Sequence, residues 1–131
     1  MRRKAKTPEA KLKDKCDRTL TPILKKEKPR CEACNQLTEV AHHWKEKACS
    51  NRLRYDFDNL IALCHSCHSK IHNKYGASIT GCLDVADKIR KKKGKRWENR
   101  IKKKAYEYQK MDVIYLEKKL KYLQNRLTKV K

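Results

Sequence analysis

The sequence predicts an α+β fold: a small stapled core between an extended basic N-terminal arm and a mostly helical basic C-terminal extension. Three observations predict it. Two Cys-x-x-Cys pairs, Cys31-Glu32-Ala33-Cys34 and Cys64-His65-Ser66-Cys67, bracket the β-prone stretch Leu37-Thr38-Glu39-Val40-Ala41. Charge is segregated: residues 1–30 carry 12 Lys/Arg against 4 Asp/Glu, residues 31–87 carry 6 against 7, and residues 88–131 carry 18 against 4. The stretch after Gly94 contains neither Gly nor Pro, which favours helix. These breaks divide the chain into an arm at 1–30, a core at 31–75 and a helical region at 76–131.

The arm contains Pro8, Pro22 and Pro29 and few apolar residues, so an extended segment with one short helix from Glu9 to Asp17 is expected. The last region opens with Lys91, Lys92, Lys93, Gly94, Lys95 and Arg96. It ends in a stripe, Val113, Leu116, Leu120, Leu123, Leu127 and Val130, spaced alternately by three and four, the mark of one helix face. That stripe is short for an independent coiled coil. It packs either on the protein's own centre, the more ordinary outcome, or on a second copy of the chain as a homodimer.

Composition narrows the function. With 38% apolar and 39% charged residues and 1 Phe in 131 residues, a large core is excluded, and a core this lean needs a staple. The net charge of +21 far exceeds what solubility requires and suits a polyphosphate partner, which argues against a carrier of neutral small molecules. No run of 18 apolar residues exists, and Met1 is followed by Arg2, Arg3, Lys4 and Lys6 with no apolar stretch behind them. Neither a membrane span nor a secretory signal is therefore expected, and the cytoplasm is the expected location. In that reducing compartment 7 cysteines, an odd number, point to metal ligation rather than disulfides.

The two knuckles, separated by 29 residues, offer four thiolates at the spacing a tetrahedral Zn²⁺ accepts, so Cys31, Cys34, Cys64 and Cys67 are the expected structural zinc ligands. Binding would supply on the order of 10 kcal/mol of folding free energy. Cys16, Cys49 and Cys82 lack a partner at ligand spacing and read as free thiols. The histidines carry the chemistry. His68 and His72, four apart on a helix beginning near Ser66, share one face and can bind one ion. A zinc shared by the knuckles would bring the adjacent pair His42 and His43 against that helix as the source of a third ligand. Neighbours on a strand point in opposite directions, so one imidazole can grip a cation while the other stays a free base. Any one of these histidines alone is more often a surface residue, but four around a zinc framework describe a site that hydrolyses phosphodiesters. His65 fits neither ligand set.

His42-His43, then Asp58-Asn59-Leu60, then Cys64-x-x-Cys67-His68 with His72 resemble the HNH, or ββα-metal, endonuclease motif over residues 31 to about 75. The resemblance implies a metal-dependent DNA endonuclease in which His43 is the general base and Asn59 holds the backbone of the base-bearing loop. It also implies that His42, His68 and His72 ligate Mg²⁺ or another divalent cation. His42 stands where many members have Asp, and three imidazoles suit zinc, nickel or manganese as well as magnesium. Cys31-x-x-Cys34, Ala41-His42-His43-Trp44, Leu53-Arg54-Tyr55 leading into Asn59, and the basic tail are similar to the lambdoid-phage NinG/Rap recombination endonucleases. That likeness implies cleavage of branched DNA such as Holliday junctions, a dimer making two matched cuts, and a phage or prophage source in a bacterial cell.

Arg52, Arg54 and Lys70 flank the expected site and are candidates to position the scissile phosphate, with Lys91, Lys92, Lys93, Lys95 and Arg96 gripping neighbouring phosphates. Trp44 and Tyr55 either stack on an exposed base or, more ordinarily, pack on the zinc framework. Two rival readings fit the same charge: a noncatalytic zinc module that binds nucleic acid, and a site-specific restriction or homing nuclease, for which no recognition helix is evident.

Overall fold

The computed structural model describes residues 5–47, 49–72 and 79–129, with the backbone alone for 79–84. Helix α1 (Pro8–Glu27) is followed by strand β1 (Val40–His43), a 3₁₀ turn (Phe57–Asn59), strand β2 (Leu60–Leu63) and helices α2 (His65–Ile71), α3 (Ile79–Lys93), α4 (Lys95–Ala105) and α5 (Val113–Lys129). Val130, the Cys82 side chain and the expected boundary at 75/76 lie outside the described residues.

Strand β2 explains the layering. It pairs antiparallel with β1, Val40 opposite Leu63 and His43 opposite Leu60, and all four of its side chains are fully buried. Strand alternation sends Leu60 and Ala62 into one cluster with α1 and α5, and Ile61 and Leu63 into another with α3 and α4. The two-stranded ribbon is thus the middle layer between helical layers, and an uninterrupted apolar run is what a strand buried on both faces requires.

Both edges of the ribbon are covered by side chains. Thr21 Oγ1 on α1 accepts the Ala41 N–H at 3.2 Å. On the other edge the Ala62 N–H donates to Glu32 Oε2 at 2.7 Å, and the Glu32 N–H donates to the Ala62 carbonyl at 2.8 Å. Glu32, inside the first knuckle, so substitutes for a third strand. Burial pushes its carboxyl up, but the Ala62 N–H and the ammoniums of Lys93 and Lys28 outweigh that and hold it below the usual carboxylate range.

The first segment corrects the expectation of an extended arm with a short helix at Glu9–Asp17: residues Pro8–Glu27 form one 20-residue helix. Thr7 caps it by accepting the Ala10 N–H, Pro8 opens it, and Lys25 and Lys26 lie in its last turn. Pro22 inside the helix costs about 3 kcal/mol. Burial of Cys16, Leu20, Ile23 and Leu24 offsets that cost, at roughly 1.5–3 kcal/mol for each large apolar side chain. Their partner is the α5 stripe: Leu116 and Leu123 are fully buried, with Leu120 and Leu127 packed beside them. Of the two alternatives for that stripe, the structure shows the packing within the chain. Arg126 on α5 closes the pair by donating to both Glu27 oxygens at 2.7 and 2.6 Å.

Gly94, at φ +89°, breaks the basic stretch into α3 and α4. Helix α4 is anchored to the 3₁₀ turn: the Trp97 indole N–H donates to the Asp58 carbonyl at 2.7 Å, Arg100 binds both Asp58 carboxylate oxygens, and Lys104 reaches Asp56 at 3.0 Å. No described helix is long and apolar enough to cross a membrane.

Candidate active site

The four knuckle cysteines converge, their sulfurs all within 4.8 Å of one another. The first knuckle is a tight hairpin: the Cys31 N–H donates to the Gln36 carbonyl at 2.6 Å, and Asn35 takes the left-handed conformation, φ 66°, that Asn tolerates. The second opens α2, where Cys64 is the N-cap and its sulfur accepts the Cys67 N–H. Cys34 Sγ and Cys64 Sγ lie 3.5 Å apart, far beyond a disulfide bond and near the separation of about 3.8 Å that two sulfurs take across a tetrahedral zinc ion. Burial raises the Cys31 thiol, but backbone N–H groups of Cys34, Cys64 and Ala33 outweigh it and bring it down to about 7. Burial and the neighbouring sulfurs push Cys67 up. Four sulfurs crowded so closely cannot all ionise without a cation among them, so the donor set fits Zn²⁺.

A second cluster lies where the end of β1 meets α2. The ligand nitrogens of His42, His68 and His72 also lie within 4.8 Å of one another, with ring centroids 5.3 Å apart for His42–His68, 4.8 Å for His42–His72 and 4.6 Å for His68–His72. His42 shares the strand face of Ile61, toward α2, and is buried. Burial, with the neighbouring His72, His68 and His43, pushes its pKa down to about 3, so it stays neutral and able to ligate. Helix α2 spaces His68 and His72 by one turn, and His72 forms its C-cap. Three imidazoles beside a cleft of about 430 Å³ fit a divalent cation.

His43 is the next residue on β1 and faces the other way, toward Asp17, Leu20 and Thr21 of α1 across the same cleft. Its Nε2–H donates to the Arg54 carbonyl at 2.8 Å. A carbonyl only accepts, so the neutral ring carries its proton on Nε2 and leaves a lone pair on Nδ1. Burial chiefly, aided by the Lys47 charge, holds the imidazole below its ordinary value against the upward pull of the Arg54 carbonyl and Asp17.

Asn59, fully buried, ties the surroundings of His43 together. Its Oδ1 accepts the Lys45 N–H at 2.8 Å, and its Nδ2 donates to the carbonyls of Lys45 at 3.1 Å and Leu53 at 3.4 Å. One side chain thereby joins the backbone two residues beyond His43 to the segment whose next carbonyl accepts the His43 Nε2–H. Arg54 is fixed in turn: its guanidinium donates to both Asp17 oxygens at 3.2 and 2.6 Å and to the Tyr55 hydroxyl at 3.1 Å.

The basic candidates fare differently. Arg52 binds Asp56 and Glu107, Arg54 binds Asp17, and Lys93 binds Glu32 and lies over the Trp97 ring, so these three are held by carboxylates rather than presented as free cations. Lys70, Lys91, Lys92, Lys95 and Arg96 are exposed. Tyr55 is buried, and Trp44 packs edge-on against Trp97 under the Arg90 guanidinium. His65 is exposed and faces Glu39 at 3.4 Å. Sequence reasoning missed Asp17, Thr21, Glu46 and Lys47 as lining residues. A signal for the first two existed, since Leu12, Cys16, Leu20 and Ile23 repeat every three or four residues; for Glu46 and Lys47 there was none.

Searches of curated proteins and of solved structures each gave no match. Residues 31–74, about a third of the chain, which carry both knuckles, both strands and all the histidines, match the family model of the HNH endonuclease.

Proposed function

We propose that the protein is a metal-dependent HNH endonuclease that hydrolyses phosphodiester bonds in DNA. The observation that supports this reading most is the division of labour across one strand: His42 joins His68 and His72, while His43, one residue on, lines the same cleft with its Nε2–H tied down. A divalent cation held by His42, His68 and His72 would place positive charge against the phosphoryl and leaving oxygens. His43 Nδ1 takes a proton from water, whose oxygen forms the new bond to phosphorus as the P–O bond to the leaving sugar oxygen breaks. Asn59 and the Arg54 carbonyl keep the imidazole oriented. Cys31, Cys34, Cys64 and Cys67 hold zinc as the staple. Exposed Lys70, Lys91, Lys92, Lys95 and Arg96 supply salt-dependent attraction to phosphates.

The likeness to recombination nucleases favours branched DNA over linear duplex. Incubation of the zinc-loaded protein with supercoiled plasmid, linear duplex and a four-way junction, with Mg²⁺ or Mn²⁺, tests both levels. Nicking that requires the cation and is lost in His43→Ala is expected, with the junction cut fastest. No nicking with any divalent cation would defeat the nuclease reading, and equal rates on junction and duplex would remove the branched preference alone.

A further inference from the structure

A groove of about 260 Å³ lies between the loop after β1 and the end of α4, lined by Lys45, Cys49, Lys102, Ala105 and Tyr106. No carboxylate lines it, in contrast to the histidine cleft, which carries Asp17 and Glu46. Lys45 and Lys102 ion-pair with no acidic group among the described residues, so two uncompensated cations face one small groove. Tyr106 is 92% exposed and Tyr108, two residues on, 86% exposed, values uncommon for large rings in a chain with so few aromatics. The segment that carries them is anchored: the Tyr106 and Glu107 N–H groups donate to the carbonyls of Lys103 and Lys104, and Glu107 accepts from Arg52 Nε at 3.0 Å. Glu107 is held by Arg52 at the surface, and the tyrosines on either side of it stand in solvent. The groove adjoins the active-site strand, because Lys45 is two residues beyond His43 and its backbone is held by Asn59.

We propose that this groove seats an unpaired nucleotide of the nucleic-acid substrate, its base stacked on Tyr106 with Tyr108 as a second stacking face, and its phosphate between Lys45 and Lys102. Exposed rings flanked by lysines are what recognition of single-stranded nucleic acid uses, since every base offers a π-face and every linkage a negative charge. A duplex keeps its bases stacked within the helix and cannot use the rings. The subsite rests on the nuclease reading for its biological substrate, though not for its test.

The test measures binding of the full-length, zinc-loaded protein, without added catalytic cation, to a labelled single-stranded DNA of about 20 nucleotides and to the blunt duplex of the same sequence. Tyr106→Ala/Tyr108→Ala should weaken single-strand binding by about tenfold to a hundredfold and duplex binding by less than about twofold. Tyr106→Phe/Tyr108→Phe should stay within about twofold of wild type on both. Equal losses on both DNAs, no loss on either, or a wild-type protein that does not bind the single strand would overturn the proposal. A protein that shows the expected binding pattern but never nicks plasmid defeats the nuclease reading and leaves the subsite standing. One that nicks plasmid yet shows no effect of the alanine variant loses the subsite alone.

Discussion

The chain builds two clusters of metal-ligating side chains a few residues apart, and they differ in closure. In the sulfur cluster three of the four members, Cys31, Cys64 and Cys67, are buried, Cys34 is exposed, and the backbone N–H groups of Ala33 and Cys67 point at the Cys31 and Cys64 sulfurs. In the histidine cluster His42 is buried, but His68 is half-buried and His72 exposed, and the cluster opens on the large cleft. Four thiolates, three of them buried, make a donor set that leaves a tetrahedral ion no open position; three imidazoles at the wall of a cleft leave room for substrate. Helix α2 carries members of both clusters, Cys64 and Cys67 at its start and His68 and His72 after them, so an ion held by the sulfurs would also fix the position of two of the three histidines.

Removing a sulfur ligand should produce the largest effect. Cys67→Ala should release zinc and unfold the centre, a loss on the order of 10 kcal/mol, seen as loss of the cooperative thermal transition in circular dichroism. A folded, zinc-free variant would collapse the distinction between the clusters. Replacing the proposed base should do the opposite: His43→Ala should lower kcat by about 10²- to 10⁴-fold with the thermal midpoint and DNA affinity kept. Steady-state cleavage and a binding titration check this together.

Asn59 belongs to both sides of the comparison, since its bonds maintain fold and base geometry alike. Asn59→Ala leaves one buried donor and two acceptors without this partner and should cost about 2–4 kcal/mol. Asn59→Asp keeps the bond from the Lys45 N–H while losing both donations, so it should fall between wild type and alanine in thermal midpoint and in kcat.

Acidification should sharpen the contrast with the smallest effect. Burial holds His42 and His43 below the ordinary imidazole value, with His42 at about 3, so the unfolded chain takes up protons that the folded chain refuses. Their contribution to stability is complete above about pH 6.5 and is lost as pH falls toward the folded values. Hydrogen-bonded Asp58 and buried Asp56, held below the usual carboxylate range by Arg100 and Lys104 respectively, act with the same sign at lower pH. The acid limb of kcat/KM should therefore lie below pH 6.5, and a limb above that value would show that His43 is not held neutral by burial.

The site was more legible in the sequence than the layers around it. Ligand spacing is local: His68 and His72 are one helical turn apart, and Cys64-x-x-Cys67 opens that same helix. The position of His42 among them depends on one β-pairing, Val40–His43 against Leu60–Leu63, which ligand spacing does not give. Only the first half of helix α1 was legible, as the short helix at Glu9–Asp17, because Pro22 and the surrounding lysines argue against a 20-residue helix until its partner is known. That partner, α5, lies about a hundred residues away, where Cys16 Sγ meets the Leu116 carbonyl at 3.8 Å. The loss of Arg54 and Lys93 as free cations was equally invisible, since their carboxylates come from Asp17 and Glu32 on distant segments, whereas Arg52 pairs with nearby Asp56 as well as distant Glu107. Short-range chemistry is written in spacing; long-range charge pairing is decided by packing.

The proposed function requires the two adjacent imidazoles on β1 to do different work. Calorimetric titration of Mn²⁺ or Ni²⁺ into zinc-loaded His42→Ala and His43→Ala separates those roles. Loss of the second metal site in His42→Ala, with wild-type affinity and stoichiometry in His43→Ala, is the predicted result. Equal weakening by both substitutions, or undiminished binding in His42→Ala, would contradict it.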